Sequence, residues 1–393
     1  MIIDQEIQRI IESPERSFFL FGPRGIGKST WLKRQFPDAT FINLLSEKTY
    51  LDFLQDVSHF TNTLNTVSPN GLVVIDEIQR IPGLLNEVHR FIEERRLRFA
   101  LSGSSARKLK KQGVNLLAGR AVRRDMYPLL PEELKGRFDL ETTLQIGSVP
   151  LVLASGNASE TLEAYVQTYL KEEIQAEALV RNLQGFARFL PIAALFHGQV
   201  LNAAHLGRDA GVSRTTVLGY LEILEDTLLT FRLNPFEGKL RVKEKSHPKL
   251  YWIDPGVCRA ARKSFGPVVE QERGALFEGW IASVLKSYQG YRKLFDDWNY
   301  WGPTASANIE VDFLLWRGTD CVAIEAKATK RVRSEAFKGL KIFKEEWNSG
   351  SLRRCIVVYL GPEYQVTDEG IEIMPLHRFL DEVQANSIFS QAY

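Results

Sequence analysis

The stretch that decides the fold of the N-terminal region is a glycine-rich loop, made up of Gly22, Pro23, Arg24, Gly25, Ile26, Gly27, Lys28 and Ser29. An apolar run, residues 17–21, precedes it and predicts a buried strand. Glycines permit backbone conformations that turn successive N–H groups toward phosphate oxygens, and a helix opening near Lys28 directs its positive end to the same place. We expect Lys28 to reach the β and γ phosphates of a nucleotide, and Ser29, followed by Thr30, to bind Mg²⁺. A glycine-rich turn without a ligand is the alternative.

A second signal is the apolar run Gly71–Ile75, which ends in the two carboxylates Asp76 and Glu77. An uninterrupted apolar run is typical of a parallel strand buried on both faces. At the end of such a strand, we expect Asp76 to hold the Mg²⁺ water shell and Glu77 to polarise the attacking water. The alternative is a solvated strand end.

A third strand is predicted at Leu97–Leu101, and serines follow it at Ser102, Ser104 and Ser105. A polar side chain here, with Ser104 as the candidate, is placed to sense the γ phosphate or the attacking water. Serine is also a good helix N-cap, and the sequence favours neither interpretation over the other.

Basic residues follow the third strand: Arg107, Lys108, Lys110, Lys111, Arg120, Arg123 and Arg124. An arginine that reaches the nucleotide of a neighbouring subunit stabilises transition-state charge, and our candidate is Arg120. A solvated basic face is the alternative for each of these residues.

Composition limits the class of protein. The chain has 393 residues, with 50 Lys and Arg against 48 Asp and Glu, so its net charge argues neither for nor against nucleic acid. Three scattered cysteines argue against a disulfide framework or a zinc knuckle and fit a reducing compartment. No apolar run has the length of a membrane span. Helical spacing predicts an amphipathic N-terminal helix, not a signal peptide, and hence a cytoplasmic location; the spaced residues are Ile3, Ile7, Ile10 and Ile11.

The middle of the chain has a helix-turn-helix layout. Residues 201–210 predict one helix, Gly211 a turn, Ser213 an N-cap, and 214–226 a second helix. The outward face near the start of the second helix carries Arg214, Thr215 and Thr216, and a basic wing is predicted from Lys239, Arg241, Lys243, Lys245 and Lys249. These residues suit contact with DNA phosphates. A winged helix used for packing or oligomer contact is the alternative.

The last third carries a second set of charged residues. Residues 309–316 and 321–327 predict a hairpin with Asp312 on one strand and Glu325 and Lys327 on the other. If their faces coincide, Asp312 and Glu325 share a Mg²⁺, and Lys327 stabilises charge on a scissile phosphate. Glu278, on a predicted helix, adds a further carboxylate. An ordinary hairpin with charged strand ends is the alternative.

The N-terminal motifs resemble prokaryotic AAA+-type P-loop ATPases in which a domain of unknown function follows the ATPase. The resemblance rests on residues 22–29, on Asp76-Glu77, on residues 102–107 and on Ala118-Gly119-Arg120, and residues 147–150 and 169–174 look like the start of the second region. It implies ATP and Mg²⁺ as cofactors and a homo-oligomer, of which a hexamer is one form.

The C-terminal pattern resembles the PD-(D/E)XK nuclease fold: a helix with Glu278, a hairpin with Asp312, then Glu325-x-Lys327. Val311 stands where that family often has proline, and this departure removes no ligand. The basic residues Lys330, Arg331 and Arg333 follow immediately and predict a phosphate-binding rim.

Together these features predict an α/β protein of three domains: an AAA+-like ATPase with a parallel sheet at 1–150, a helical and winged-helix domain at 151–262, and a nuclease-like α/β domain at 263–393. The leading hypothesis is an ATP-hydrolysing protein that binds DNA, with branched DNA, repair and defence all compatible. Whether its metal-dependent nuclease-like domain also cleaves DNA is left open by the sequence. A nucleotide-driven switch without cleavage and a protein-remodelling ATPase are the alternatives.

Overall fold

A computed structural model describes residues 7–105, 107, 109, 117, 119–169, 183–238, 246–303, 309–347 and 350–390. Several predicted features lie outside these residues: Ile3, Lys108, Lys110 and Lys111, Ala118, residues 170–174, and the wing residues Lys239, Arg241, Lys243 and Lys245. Among the described residues, no helix combines the length and the apolarity that crossing a bilayer requires.

The N-terminal region is a parallel sheet in the order β2-β3-β4-β1-β5. Its strands are β1 (Phe18–Phe21), β2 (Thr40–Asn43), β3 (Leu72–Asp76), β4 (Arg98–Gly103) and β5 (Val122–Asp125). Its helices are α1 (Lys28–Gln35), α2 (Glu47–Gln55), α3 (Val57–Asn65) and α4 (Leu84–Arg95), with a short 3₁₀ helix at Ile78–Arg80. The parallel direction brings the ends of β1, β3 and β4 to one edge, where a ligand of such a sheet is expected.

The amphipathic N-terminal helix is a wrong prediction for the described residues, because residues 7–14 have an irregular backbone. The Ile10 N–H donates to the Glu133 carboxylate at 2.9 Å, and Ile11 is buried in the core beside β1. Tertiary packing, not helical periodicity, therefore accounts for the spacing of these isoleucines.

The middle region consists of short helices around a three-stranded antiparallel sheet in the order β6-β8-β7. Its strands are β6 (Gln199–Val200), β7 (Thr230–Leu233) and β8 (Lys249–Trp252). Its helices are α5 (Pro131–Leu134), α6 (Leu140–Ile146), α7 (Pro150–Leu153), α8 (Ala158–Ala164), α9 (Leu183–Leu195), α10 (Ala203–Ala210), α11 (Arg214–Asp226) and α12 (Pro255–Ala261), with a π-helical turn at Tyr165–Tyr169. Gly211, in a left-handed conformation (φ 64°), ends α10, and the Ser213 side chain caps α11.

The C-terminal region is a mixed sheet in the order β13-β14-β12-β11-β10-β9. Its strands are β9 (Asp297–Trp301), β10 (Val311–Arg317), β11 (Asp320–Lys327), β12 (Ser351–Tyr359), β13 (Gln365–Val366) and β14 (Glu372–Pro375). Helices α13 (Glu270–Arg292) and α15 (Leu376–Gln384) pack on one face, and α14 (Lys338–Glu346) packs on the other. The predicted hairpin is thus β10–β11, with Phe313 paired to Ile324.

The regions share their cores. A single apolar cluster contains Phe18 and Leu20 of β1, Phe189 of α9 and Trp252 of β8. Gly256 of α12 packs directly on the Ile146 carbonyl, where any side chain would clash. Parts of the chain far apart in sequence therefore depend on each other for stability, and the boundaries at 150 and 262 stay predictions.

Candidate functional site: a glycine-rich loop and a carboxylate cluster

The glycine-rich loop, residues 22–29, connects β1 to α1 at the carboxyl edge of the first sheet. Gly25 and Gly27 have φ values of 71° and 93°, which only glycine adopts without strain. Gly27 is the N-cap of α1, and its carbonyl accepts the first helical bond, from Trp31. The N–H groups of the first turn of α1 therefore begin at this loop, as phosphate binding requires.

Lys28 is buried inside the loop that precedes it. Its Nζ donates to the Gly22 carbonyl at 2.7 Å and to the Pro23 carbonyl at 3.1 Å. Ser29 is half-buried and Thr30 is exposed. The ammonium group thus lies within the concave side of the loop, and a ligand phosphate would compete with the two carbonyl groups for it.

Asp76 is the last residue of β3 and Glu77 follows it, and β4 lies between β3 and β1 in the sheet. The Ser102 hydroxyl of β4 donates to Asp76 Oδ1, and the Glu77 N–H donates to the same hydroxyl at 3.3 Å. Glu77 has a left-handed backbone (φ 64°), which is strained for a residue with a side chain. This turn sets the direction in which the Glu77 side chain leaves the strand.

Gln79 connects Glu77 to Ser104, and sequence reasoning missed it. Its Nε2 donates to Glu77 Oε2 at 2.5 Å and to Ser104 Oγ at 3.2 Å. Gln79 Oε1 is buried and has no hydrogen-bond partner among the described residues. The hydroxyl of the next serine, Ser105, accepts a hydrogen bond from the Arg107 N–H at 3.0 Å. No feature of the sequence marks Gln79 beyond its place two residues after Glu77.

Arg120 lies at the opposite edge of the sheet from the loop of its own chain. It precedes β5, whose Val122 pairs with Phe18 at the start of β1, and its guanidinium forms an ion pair with Glu93 of α4. Arg107 Nη1 lies 2.8 Å from Asp226 Oδ2 at the end of α11, so it belongs to a contact between regions and not to a solvated face.

Three successive carbonyl groups of the loop accept hydrogen bonds from other segments. The donors are Tyr165 Oη to Arg24 O at 3.1 Å, the Leu151 N–H to Gly25 O at 3.1 Å, and Arg9 Nη1 to Ile26 O at 2.9 Å. Two of these donors belong to the middle region. The conformation of the loop is therefore linked directly to helices outside the first sheet.

The second site is a carboxylate cluster, defined as Glu278 of α13, Glu310 and Asp312 at the start of β10, and Glu325 of β11. Lys249 of β8 lies within it, with Nζ at 2.9 Å from Glu278 Oε1, 3.0 Å from Glu310 Oε1 and 3.4 Å from Asp312 Oδ1. Lys249 is 1% exposed. Its predicted role in a DNA-facing wing is therefore wrong, because it is enclosed by acids and not presented to solvent.

Glu325 and Lys327 complete this site as the period-two pattern predicts, with the Lys327 ammonium bonded to Glu325 Oε1. Phe313 pairs with Ile324, so the neighbouring residues Asp312 and Glu325 lie at the same end of the β10–β11 hairpin, and Asp312 Oδ2 accepts from the Ala326 N–H at 2.9 Å. Glu325 Oε2 is buried and has no hydrogen-bond partner among the described residues.

Burial and crowding of like charges shift the protonation of this cluster. Burial, followed by the nearby Asp312, raises the pKa of Glu278 to about 7 and the pKa of Glu325 well above its usual range. Burial opposes the charge on Lys249, but the surrounding acids, Glu278 first, raise its pKa well above the ordinary value. Lys249 is thus a permanent cation at neutral pH.

The predicted metal ligands Glu278, Asp312 and Glu325 are brought together, but the residues do not fit an open metal position in this arrangement. Within the described ranges, no three or more acidic, His or Cys side chains have a geometry that could hold a metal ion. The Lys249 ammonium lies between Glu278 and Asp312, and like charges do not share a position.

The comparisons with known proteins divide the chain in three. Residues 14–135 match the family model of an AAA domain. The parallel sheet and the glycine-rich loop thus lie within an AAA-type P-loop domain. Residues 137–267 and 273–379 match two domains of unknown function, DUF8612 and DUF4143.

Two distant relatives align with most of this chain. The uncharacterized protein Rv2008c of Mycobacterium tuberculosis is 25% identical over 304 residues, which are 74% of this chain and 66% of the relative, slightly under two thirds of its length. The uncharacterized protein MJ1544 of Methanocaldococcus jannaschii is 23% identical over 344 residues, 80% of this chain and 74% of the relative. A solved structure of the Aeropyrum pernix ORC1 protein in complex with DNA overlaps 64% of this chain and 87% of its own, at 13% identity and a TM-score of 0.24, and no conclusion about this chain follows from that overlap.

Proposed function

We propose that the AAA domain binds Mg·ATP in the glycine-rich loop and hydrolyses it, and that the protein uses this cycle to act on DNA. The observation that carries the proposal is the connected polar chain from Glu77 through Gln79 to Ser104, at the sheet edge that also carries the loop. A buried chain of this kind holds a carboxylate in one direction, which activation of a water molecule requires.

Each residue has a distinct part in this reaction. Lys28 exchanges its bonds to Gly22 and Pro23 for bonds to phosphate oxygens. The Ser29 hydroxyl and the Asp76 carboxylate would hold Mg²⁺, and two protein oxygens suffice because Mg²⁺ keeps waters and phosphate oxygens as its other ligands. When bound, Mg²⁺ neutralises charge that develops on the phosphates. Glu77 orients the attacking water, while Gln79 and Ser104 hold Glu77 in place.

Arg120 is proposed to act on a neighbouring copy of the chain. It lies far from its own loop, and its partner Glu93 is itself on the surface, so the ion pair can be exchanged for a phosphate at an interface. This part of the proposal makes the ATPase active as a homo-oligomer.

DNA is the proposed partner of the middle region, which we interpret as a winged helix. In chain order it has α9, β6, α10, α11, β7 and β8, and the exposed start of α11 presents Arg214 and Thr215. The start of the second helix of such a unit is the part that enters a DNA groove. DNA cleavage is not part of the proposal, because Lys249 occupies the carboxylate cluster.

The ATPase proposal is tested with two variants and a control on the same helix. Lys28→Ala is expected to abolish ATP binding, and Glu77→Gln to retain binding while hydrolysis falls at least about 100-fold. Lys33→Ala, on the exposed side of α1, should leave both properties unchanged. Normal turnover by Glu77→Gln would contradict the assignment of the water-activating carboxylate.

The DNA proposal is tested by measuring affinity for duplex and branched DNA across salt concentrations. Phosphate contacts weaken steeply as salt rises. We expect such a slope, and expect Arg214→Ala to weaken binding. Binding that is absent or insensitive to salt would favour a protein-remodelling ATPase instead.

A further inference from the structure

The carboxylate cluster is a cation site with a cation already in it. Four acids, Glu278, Glu310, Asp312 and Glu325, meet at one end of the β10–β11 hairpin, and the Lys249 ammonium lies within 3.4 Å of three of them. Isolated carboxylates in a buried position would repel each other strongly. The cluster therefore favours positive charge, which Lys249 supplies to Glu278, Glu310 and Asp312 and Lys327 supplies to Glu325.

Lys249 comes from another part of the chain than the acids. It is the first residue of β8, in the antiparallel sheet of the middle region, whereas the acids lie on α13, β10 and β11. Tyr251 of the same strand donates to Glu278 Oε1 at 2.6 Å. The charge that completes the C-terminal site is thus delivered by the unit that we interpret as a winged helix.

A buried oxygen of the cluster has no hydrogen-bond partner within the part of the chain that the structure describes. Glu325 Oε2 is buried in a residue that is only 5% exposed, and it has no hydrogen bond among the described residues. A buried acceptor without a partner is costly. Glu325 Oε2, which neither Lys249 nor Lys327 bonds, is therefore an oxygen that a cation in the place of the Lys249 ammonium could use.

We propose that Lys249 fills the cation position of the C-terminal carboxylate cluster, and that a divalent cation binds to these acids only when the Lys249 side chain is removed or withdrawn. Mg²⁺ and Mn²⁺ are the matching class of ligand, since they favour carboxylate oxygens. As long as β8 keeps Lys249 among these acids, the C-terminal domain binds no metal at this position. This proposal is independent of ATP binding and of DNA binding.

The experiment measures Mn²⁺ binding to the full chain without nucleotide, by electron paramagnetic resonance of free Mn²⁺, together with the melting temperature. Lys249→Met is expected to melt at a lower temperature than wild type and to be restored by Mn²⁺, with affinity at least about tenfold above that of wild type. Adding Asp312→Asn should abolish this gain. Lys341→Met, which removes a lysine from a surface ion pair with Glu369, is the matched control and should gain no Mn²⁺ site.

Two results overturn the proposal. One is a folded Lys249→Met protein that gains no Mn²⁺ site. The other is a wild-type protein that binds Mn²⁺ and loses it on Asp312→Asn, because metal and lysine would then coexist. If Lys249→Met does not fold with or without Mn²⁺, the comparison of wild type with Asp312→Asn decides alone, and absence of an Asp312-dependent site supports the proposal.

Discussion

Arg9 Nη1 donates a hydrogen bond to the Ile26 carbonyl oxygen and so ties the segment before the first sheet to the middle of the glycine-rich loop. The same guanidinium bonds to Glu133, at 2.8 Å, and to the Tyr127 carbonyl, at 2.6 Å. Glu133 in turn accepts from the Ile10 and Leu130 N–H groups. The buried ion pair between Arg9 and Glu133 thus connects the glycine-rich loop, the N-terminal segment and α5.

Arg9→Ala is expected to lower the free energy of unfolding by about 3–5 kcal/mol, because it leaves the Glu133 carboxylate buried without its partner. ATP affinity should fall as well, since the Ile26 carbonyl loses its donor. Denaturant unfolding and nucleotide titration measure the two effects. The double variant Arg9→Met with Glu133→Gln should recover part of the stability but not the affinity. Equal loss in the single and double variants would show that the pair itself is not the cause.

Gln79→Ala is expected to reduce the turnover of ATP by up to about 100-fold while leaving its binding within a few-fold of wild type. The substitution removes the donor that holds Glu77 and leaves the described hydrogen bonds of the glycine-rich loop in place. Steady-state kinetics separate the two quantities as kcat and KM. Gln35→Ala, at the end of α1, is the control. A rise in KM with unchanged kcat would place Gln79 in binding and not in positioning.

We predict that His197 makes the free energy of unfolding decrease at acidic pH. Burial lowers the pKa of His197 to about 3, and its Nδ1 accepts from the Trp252 N–H at 3.0 Å. Since the unfolded pKa is about 6.5, its contribution to stability is full above pH 6.5 and is lost as the pH falls toward 3. Between pH 7 and pH 5, protonation of this histidine in the unfolded state should lower the free energy of unfolding of wild type by about 2 kcal/mol.

His197→Asn tests this contribution, because the asparagine side chain offers an acceptor for Trp252 and does not titrate. We expect urea unfolding to show that the free energy of unfolding decreases between pH 7 and pH 5 by about 2 kcal/mol less in the variant than in wild type. His205→Asn, at an exposed position on α10, should behave as wild type. The same pH dependence in wild type and His197→Asn would mean that another group is responsible.

The parts of the structure that could be predicted from sequence are those set by neighbours along the chain. The glycine-rich loop and Asp76 follow from local runs of residues, and the β10–β11 hairpin from strand periodicity. Gln79 could not be found, because its role depends on contact with Ser104, 25 residues away. Lys249 was misplaced for the same reason: alternation along a strand predicts a face, but not which acids another region brings to it.

Helix α13 connects the carboxylate cluster to Arg9, which contacts the glycine-rich loop. Glu278 bonds Lys249, and thirteen residues later the Tyr291 hydroxyl accepts hydrogen bonds from the Tyr127 N–H at 2.8 Å and from Arg9 Nη2 at 3.3 Å. At 1.5 Å per residue these points are about 20 Å apart along the helix axis. A tilt of the helix axis by about 5° would move one of these points by about 2 Å relative to the other, so the contacts of Glu278 and of Tyr291 together restrict the orientation of α13.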